Sequence, residues 1–247
     1  MRNREEWAPS KYQLDKNRWM ASRNLSEVGI GSRLLGDLVA LFYQSNIPRY
    51  AHGKLLDAGC GKAPLFAMYQ PFITESICVD WPNSKHDAKF VDVHCDLAEG
   101  LPFKNQEFDT VILSDVLEHV FNPLSLWREL ARVMKPGGVL LMNSPFYYWL
   151  HESPFDYYRY TEFALRRFAE ETGLKILSFY AIGGTVEILI DIFAKHLQFL
   201  PVVGAPSANI LQTVASIWAI SDLGKRVAHF TAKAFPYGYF LVAQKTD

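Results

Sequence analysis

Cysteine is scarce in this chain of 247 residues: Cys60, Cys78 and Cys95 make an odd set with no CxxC pair among them. That excludes a disulfide framework and a zinc cluster built from close cysteine pairs. It fits reduced thiols in a reducing compartment, so a cytoplasmic location is expected. A net charge is missing too. At −1 the chain exerts no overall attraction on nucleic acid, and no nucleic-acid partner is expected. The opening stretch MRNREEWAPSKYQLDKNRW has no apolar run, so no secretory leader is expected. Repeats and low-complexity tracts are absent. What is present, 49% hydrophobic and 21% charged residues, suits one large α/β domain with a real core.

Short apolar runs alternate with amphipathic stretches from residue 54 to 144, the pattern of βαβ units and a mostly parallel sheet. The runs cover 54–58, 76–79, 110–114 and 139–143, and two further strands are predicted over 175–180 and 238–243. Asn122-Pro123, a cap residue followed by proline at the first helical position, opens a helix with Leu126, Leu130, Val133 and Met134 on one face. Lys135-Pro136-Gly137-Gly138 stops it and turns into the next strand. Helices are also predicted over 26–44 and 161–172.

Leu55-Leu56-Asp57-Ala58-Gly59-Cys60-Gly61-Lys62-Ala63-Pro64 reads as a buried strand entering a glycine turn, where the backbone can approach a ligand closely. Asp80 ends the next strand, placed to accept hydrogen bonds from ribose hydroxyls at the carboxyl edge of the sheet. Asp96-Leu97 follows a further extended stretch, and a carboxylate there can receive an adenine amino group. Asp115-Val116-Leu117-Glu118-His119-Val120 follows the fourth strand.

The ordered set LLDAGCG, CVD, CDLAEGLPF, FDTVILSDVLEHV and RVMKPGGVLL resembles the class I S-adenosylmethionine-dependent methyltransferases, over about half the chain. The resemblance implies a Rossmann-like α/β sheet, mostly parallel, of seven strands with the last antiparallel. An N-terminal helical segment (1–50) would cover a core (51–182), and a helical insertion (183–236) would precede the last strand (237–247). S-adenosylmethionine is the implied cofactor and S-adenosylhomocysteine the product. Asp57 and Gly59 would frame the methionine moiety, with Cys60 and Gly61 in the turn, Asp80 on ribose, Asp96 and Leu97 on adenine, Trp81 over the adenine, and Ser114 beside them. Many members carry a third glycine where this chain has Ala63-Pro64. The same departure argues against the main alternative, a nicotinamide-dependent oxidoreductase, whose GxGxxG turn needs that glycine.

Methyl transfer from a sulfonium needs an aligned nucleophile and, for a hydroxyl, a base. Asp115 and His119 at the fourth strand, with His151, Glu152 and Asp156 in the aromatic segment His151-Glu152-Ser153-Pro154-Phe155-Asp156-Tyr157-Tyr158-Arg159-Tyr160, are the catalytic candidates. That segment resembles an HExPxDYYRYT stretch of methyltransferase-domain proteins from bacterial surface-polysaccharide pathways. The resemblance implies a small-molecule or glycan-type acceptor, lipid-linked in one version, methylated on O or N. Asp115-x-x-Glu118-His119 is also similar to a metal-binding ExxEH element of some O-methyltransferases, which His151 would complete. Many relatives with LEHV bind no metal, and none is expected here. A non-catalytic cofactor-binding or docking module stays the third reading.

The insertion is odd. Glu187, Asp191, Lys195 and Gln198 form one narrow polar stripe on an otherwise apolar helix, and residues 199–221 carry no charge at all. Pro201, Gly204 and Pro206 break the run, which argues against a spanning helix. Internal packing, a homodimer face and peripheral contact with the inner face of a membrane all stay open.

Overall fold

The computed structural model describes residues 1–84 and 88–246. A two-stranded hairpin, β1 (Tyr12–Asp15) and β2 (Arg18–Ala21), leads to α1 (Arg33–Tyr50) and β3 (Lys54–Ala58). Then follow α2 (Phe66–Tyr69), β4 (Glu75–Asp80), β5 (Val93–His94), β6 (Phe108–Ser114), α3 (Pro123–Val133), β7 (Met134–Pro145), α4 (Glu162–Glu171) and β8 (Leu174–Ile182). Three helices, α5 (Thr185–Leu197), α6 (Gly204–Ile220) and α7 (Asp222–Thr231), precede β9 (Gly238–Lys245).

The large sheet has seven strands in the order β5-β4-β3-β6-β7-β9-β8. Every neighbouring pair from β5 to β7 is parallel, and β9 runs antiparallel to both β7 and β8. The predicted Rossmann-like architecture is the observed one. The order reverses between β3 and β6, so the crevice beyond their carboxyl ends is where such a sheet binds ligands.

Each central strand is a continuous apolar run because both faces are covered. Leu55, Ile112 and Leu141 pack with Leu34, Leu38, Tyr43 and Ile47 of α1 on one side. Their chain neighbours Leu56, Val111, Leu113, Leu140 and Met142 meet Leu126, Trp127 and Leu130 of α3 and Leu165 of α4 on the other. The side chain of Asn122 caps α3 by accepting the Ser125 N–H, with Pro123 in the first turn. Through 135–138 the register between β6 and β7 shifts, which is where the Lys-Pro-Gly-Gly turn falls.

The amino-terminal segment departs from the helical expectation. Its first part is the hairpin, whose turn residues Lys16 and Asn17 both have positive φ, a twist that suits two-residue hairpin loops. The helix predicted over 26–44 instead begins at Arg33, because the Asn24 side chain accepts the Ser26 N–H and holds that stretch as a turn. It runs on to Tyr50, with Pro48 tolerated in the last turn.

In the insertion the usual polarity is reversed. Asp191 and Lys195, 2.6 Å apart, are buried, as is Glu187, whose carboxylate accepts the Gly184 N–H. Buried Gln212 of α6 accepts the Leu34 N–H at 2.7 Å and donates to the Gly31 carbonyl, so it caps the start of α1. Ser216 donates to buried Asp37. Gln212 and Ser216 therefore fasten α6 to the body, while the Asp191–Lys195 pair lies within α5. Among the described residues no helix is long and apolar enough to cross a membrane.

Removing one partner of a buried ion pair strands the other's charge. Lys195→Ala is expected to cost roughly 3–5 kcal/mol in urea unfolding, whereas Asp191→Leu/Lys195→Met is expected to stay within about 2 kcal/mol of the parent.

Candidate active site

The carboxyl ends of β3, β4, β6 and β7 open onto two adjoining cavities. At the first, the turn after β3 is pinned by the Val79 carbonyl, which accepts the N–H groups of both Gly59 and Cys60. Gly59 has φ +72, and a side chain there would collide with Val116, so only glycine lets the turn lie against the loop after β6. Ala63 also takes a left-handed backbone with φ +49. Asp80 is clamped: one carboxylate oxygen accepts the Gly61 N–H at 2.9 Å, the other the Trp81 N–H at 2.7 Å.

Asp80, Trp81, Asp96 and Leu97 line a cavity of about 260 Å³ together with Phe121, Phe155 and Tyr157. Trp81 packs edge-on against Phe155, with ring centroids 4.9 Å apart. The second cavity, of about 380 Å³, is lined by Cys60, Gly61, Ser114, Glu118, Tyr148 and His151. Gly59, Asp115, His119 and Glu152 line both. Of the residues singled out for the cofactor, Asp57 alone borders neither. It lies buried beneath the turn, hydrogen-bonded by the Tyr69 hydroxyl at 3.1 Å, and burial pushes its carboxyl up to about 7.

Asp115 sits where the cavities meet, in a left-handed conformation with φ +53. Lys11, just ahead of β1, donates to one of its oxygens at 2.6 Å, and the Asn143 amide of β7 donates to the other. The Asn143 carbonyl oxygen in turn accepts from Tyr43 and Ser114, both at 2.9 Å. Ser10, Lys11 and Tyr12 thus reach the larger cavity from the hairpin. Sequence reading missed them; the Lys16-Asn17 turn was the available sign of a hairpin, but nothing in it told where the hairpin docks.

Two imidazoles meet edge to face, with centroids 4.7 Å apart. Nδ1 of His119 lies 2.9 Å from the Phe155 carbonyl oxygen, which can only accept, so that nitrogen carries a proton. His151 is arranged alike: its Nδ1 lies 3.3 Å from the Trp149 carbonyl and 3.2 Å from Asp156. Burial, and then the neighbouring His119, hold the His151 pKa below its ordinary value of 6.5, against the pull of Asp156. Glu118 is fully buried beside them, and neither carboxylate oxygen has a hydrogen-bond partner among the described residues. Burial first, and Asp115 second, raise its pKa well above the ordinary carboxylate range.

Asp156 is placed differently from what its position in the motif suggested. It lines neither cavity; Arg159 holds both its oxygens, at 2.6 and 2.8 Å, and it accepts the His151 N–H. Burial opposes its charge, but Arg159 and then the His151 N–H outweigh that and hold the carboxyl at about 2. It is therefore a brace for His151 rather than a proton acceptor. The segment is also fixed from below, with the Tyr157 N–H donating to the Glu118 carbonyl and the Tyr160 hydroxyl to that of Leu117.

Residues 56–142 match the family model described as Methyltransferase domain. The chain is 31% identical over 98 residues to the Ubiquinone biosynthesis O-methyltransferase of Parvibaculum lavamentivorans, covering 36% of this chain and 39% of that relative. It is also 31% identical over 109 residues, 42% of each chain, to a Mycolicibacterium smegmatis protein named "Probable S-adenosylmethionine-dependent methyltransferase". The chain thus spans about two-fifths of the length of these curated relatives. Among solved structures, a SAM dependent methyltransferase from Archaeoglobus fulgidus superposes with a TM-score of 0.56 at 20% identity, over 87% of this chain and 97% of that one, a likeness of fold.

The brace can be tested directly. Arg159→Ala removes a cation that depresses the His151 pKa and releases Asp156, so the His151 titration followed by NMR is expected to move up. Loss of the partner to a nearly buried carboxylate is expected to lower unfolding stability by roughly 2–4 kcal/mol.

Proposed function

We propose that this chain, whose residues 56–142 form a class I S-adenosylmethionine-dependent methyltransferase domain, transfers a methyl group to an oxygen or nitrogen of a glycan-type or other small polar acceptor. The observation that carries the reading is the pair of cavities joined at Gly59, Asp115, His119 and Glu152 over the switch point of the sheet. The smaller cavity, with the clamped Asp80, the Trp81 and Phe155 rings and Asp96, has the hydrogen-bonding and stacking groups an adenosine needs. The Gly59–Gly61 turn allows the close backbone approach that a methionine tail requires. The donor set fits the cofactor. Bound there, S-adenosylmethionine supplies an electrophilic methyl on sulfur and leaves as S-adenosylhomocysteine.

The larger cavity is then the acceptor's. Its wall mixes Val28, Leu35 and Val39 with polar groups of Ser10, Lys11, Ser32, Tyr148 and Glu152, which offer hydrogen bonds to the hydroxyl or amino groups of an acceptor. His151 is the base in this reading. It is neutral near pH 7, its Nδ1 proton is committed to the Trp149 carbonyl and Asp156, and Nε2 takes the proton released as the acceptor attacks. His119, held the same way, sets the ring's position. Asp115, bonded at both oxygens, anchors the wall rather than moving a proton.

Glu118, His119 and His151 bring one ligand atom each to within 4.8 Å, a donor set a divalent ion would accept. Asp115 is not part of that group. The base mechanism needs no ion, and activity that survives EDTA separates the two. The nicotinamide reading loses its ground, since Ala63 and Pro64 stand where its third glycine would and the matched family is a methyltransferase one.

S-adenosylhomocysteine is expected to raise the melting temperature where NAD does not; no shift with either sulfur nucleoside would sink the reading. Asp80→Ala is expected to weaken S-adenosylhomocysteine binding about 10- to 100-fold by calorimetry, as loss of charge-assisted hydrogen bonds does. His151→Ala is expected to lower turnover by about 10²–10⁴ with that affinity nearly unchanged. In the parent, turnover requires neutral His151. It should hold above the lowered histidine pKa and fall as pH drops through it, with the acidic limb below 6.5.

A further inference from the structure

The three-helix insertion turns its apolar side outward. On α5 the buried positions include Glu187, Asp191 and Lys195 beside Ile188 and Ala194, while Leu189, Ile192 and Phe193 are exposed, Phe193 by 62%. On α6 the inner positions include Gln212 and Ser216, and the outer ones are Ile210, Val214 and Ile217 at helical spacing. The link between the two helices, Phe199-Leu200-Pro201-Val202-Val203, is exposed throughout, with Val202 at 94% on a left-handed backbone. An ordinary surface helix has the opposite polarity, and water alone gives no reason to hold this one. Inward polar groups make the arrangement specific: Gln198 accepts from the Gly31 N–H, Gln212 bonds Leu34 and Gly31, and Ser216 donates to Asp37, so the helices cannot roll over to hide the apolar side without breaking those bonds.

Charge selects what covers it. From 199 to 233 the sequence has three cations, Lys225, Arg226 and Lys233, against one acid, Asp222. Lys225 and Arg226 are exposed on α7, the helix that packs on both α5 and α6, beside exposed Leu223 and Phe230. A second copy docking through the same face would bring cations toward cations with a single acid to meet them. An anionic lipid surface complements both features, apolar side chains entering between headgroups while the cations stay among the phosphates.

We propose that helices α5–α7 and the 199–203 tip dock this protein on the surface of an anionic bilayer, without spanning it. The docking face is tied to the larger cavity through the same helix. Lys195, on the inner side of α5, lies 3.6 Å from the centroid of the Tyr148 ring, and Tyr148, hydrogen-bonded to Ser32, lines that cavity. The docking itself does not rest on the methyl-transfer reading.

Co-sedimentation of the full chain with phosphatidylcholine vesicles, with and without phosphatidylglycerol, tests it. The parent is expected to sediment with the anionic vesicles and much less with neutral ones. Phe193→Ser/Phe199→Ser/Val202→Ser changes only exposed side chains and is expected to cut the bound fraction at least about tenfold. Lys225→Glu/Arg226→Glu is expected to weaken binding to the anionic vesicles selectively, with unfolding transitions confirming that both variants stay folded. No sedimentation of the parent with anionic vesicles overturns the proposal, as does equal binding to both compositions. A parent dimer in light scattering that the serine variant converts to monomer, with no vesicle binding, assigns the face to a second copy instead. Failure here leaves the nucleoside thermal shifts untouched, so the two readings fall separately.

Discussion

The site hangs on one carboxylate. Asp115 takes Lys11 on one oxygen and Asn143 on the other, and Asn143 holds Tyr43 and Ser114. Those few hydrogen bonds join the amino-terminal hairpin, α1, β6 and β7 at the point where the two cavities meet. Partly buried polar networks of this kind favour one arrangement, since the buried members Asn143 and Tyr43 left unpaired would cost their desolvation. Every group here is satisfied in a way that also fixes the amide of Asn143, whose nitrogen must face the carboxylate and whose oxygen the two hydroxyls. The hairpin shares no strand with the main sheet; the Trp19 and Ala21 N–H groups tie it to Gln44 and Asp37 of α1, and Lys11 ties it to the site.

The same logic, polar groups used as fasteners, governs the insertion. Apolar burial of Ile188, Ala215 and Ala219 packs α5 and α6 on the domain, and Gln212 and Ser216 add hydrogen bonds to Gly31, Leu34 and Asp37. Such contacts are weaker per area than apolar packing but directional, and they settle which face looks outward. The sequence displayed the narrow polar stripe at 187, 191, 195 and 198. Periodicity shows that a helix has two faces and is silent on which of them meets the protein. The apolar face is wide enough for either role.

What could be read from sequence divides along physical lines. Strands buried on both faces announce themselves as apolar runs, and Asn122-Pro123 and Thr161 mark helix starts because a cap needs those side chains. Acids at strand ends, Asp80 and Asp96, were legible because the carboxyl edge of a parallel sheet is where a ligand sits. Tertiary choices were not legible. Asp156 and Glu152 look equivalent beside His151, yet Arg159 three residues on claims Asp156 while Glu152 borders both cavities. Glu118 reads only as part of the Asp115-x-x-Glu118-His119 element, and its full burial shows in no local pattern. Lys11 lies 104 residues from Asp115, beyond the reach of any local pattern.

Strain is distributed in keeping with this division. Three non-glycine residues at the joined cavities, Ala63 behind the glycine turn, Asp115 between the cavities and Glu152 in the aromatic segment, adopt left-handed backbone. Each such residue costs of order 1 kcal/mol or more and persists only where its surroundings over-determine it. The surroundings differ in kind: Ala63 is packed in the core, Asp115 is held by two hydrogen bonds, and the loop carrying Glu152 is fixed through the Arg159–Asp156 pair. Relaxing any one would re-aim a group at the junction while leaving the sheet alone. A fold whose central strands are ordinary parallel β-structure, but whose carboxyl edge takes left-handed backbone at three non-glycine residues, has its stability and its chemistry in separate parts of the chain.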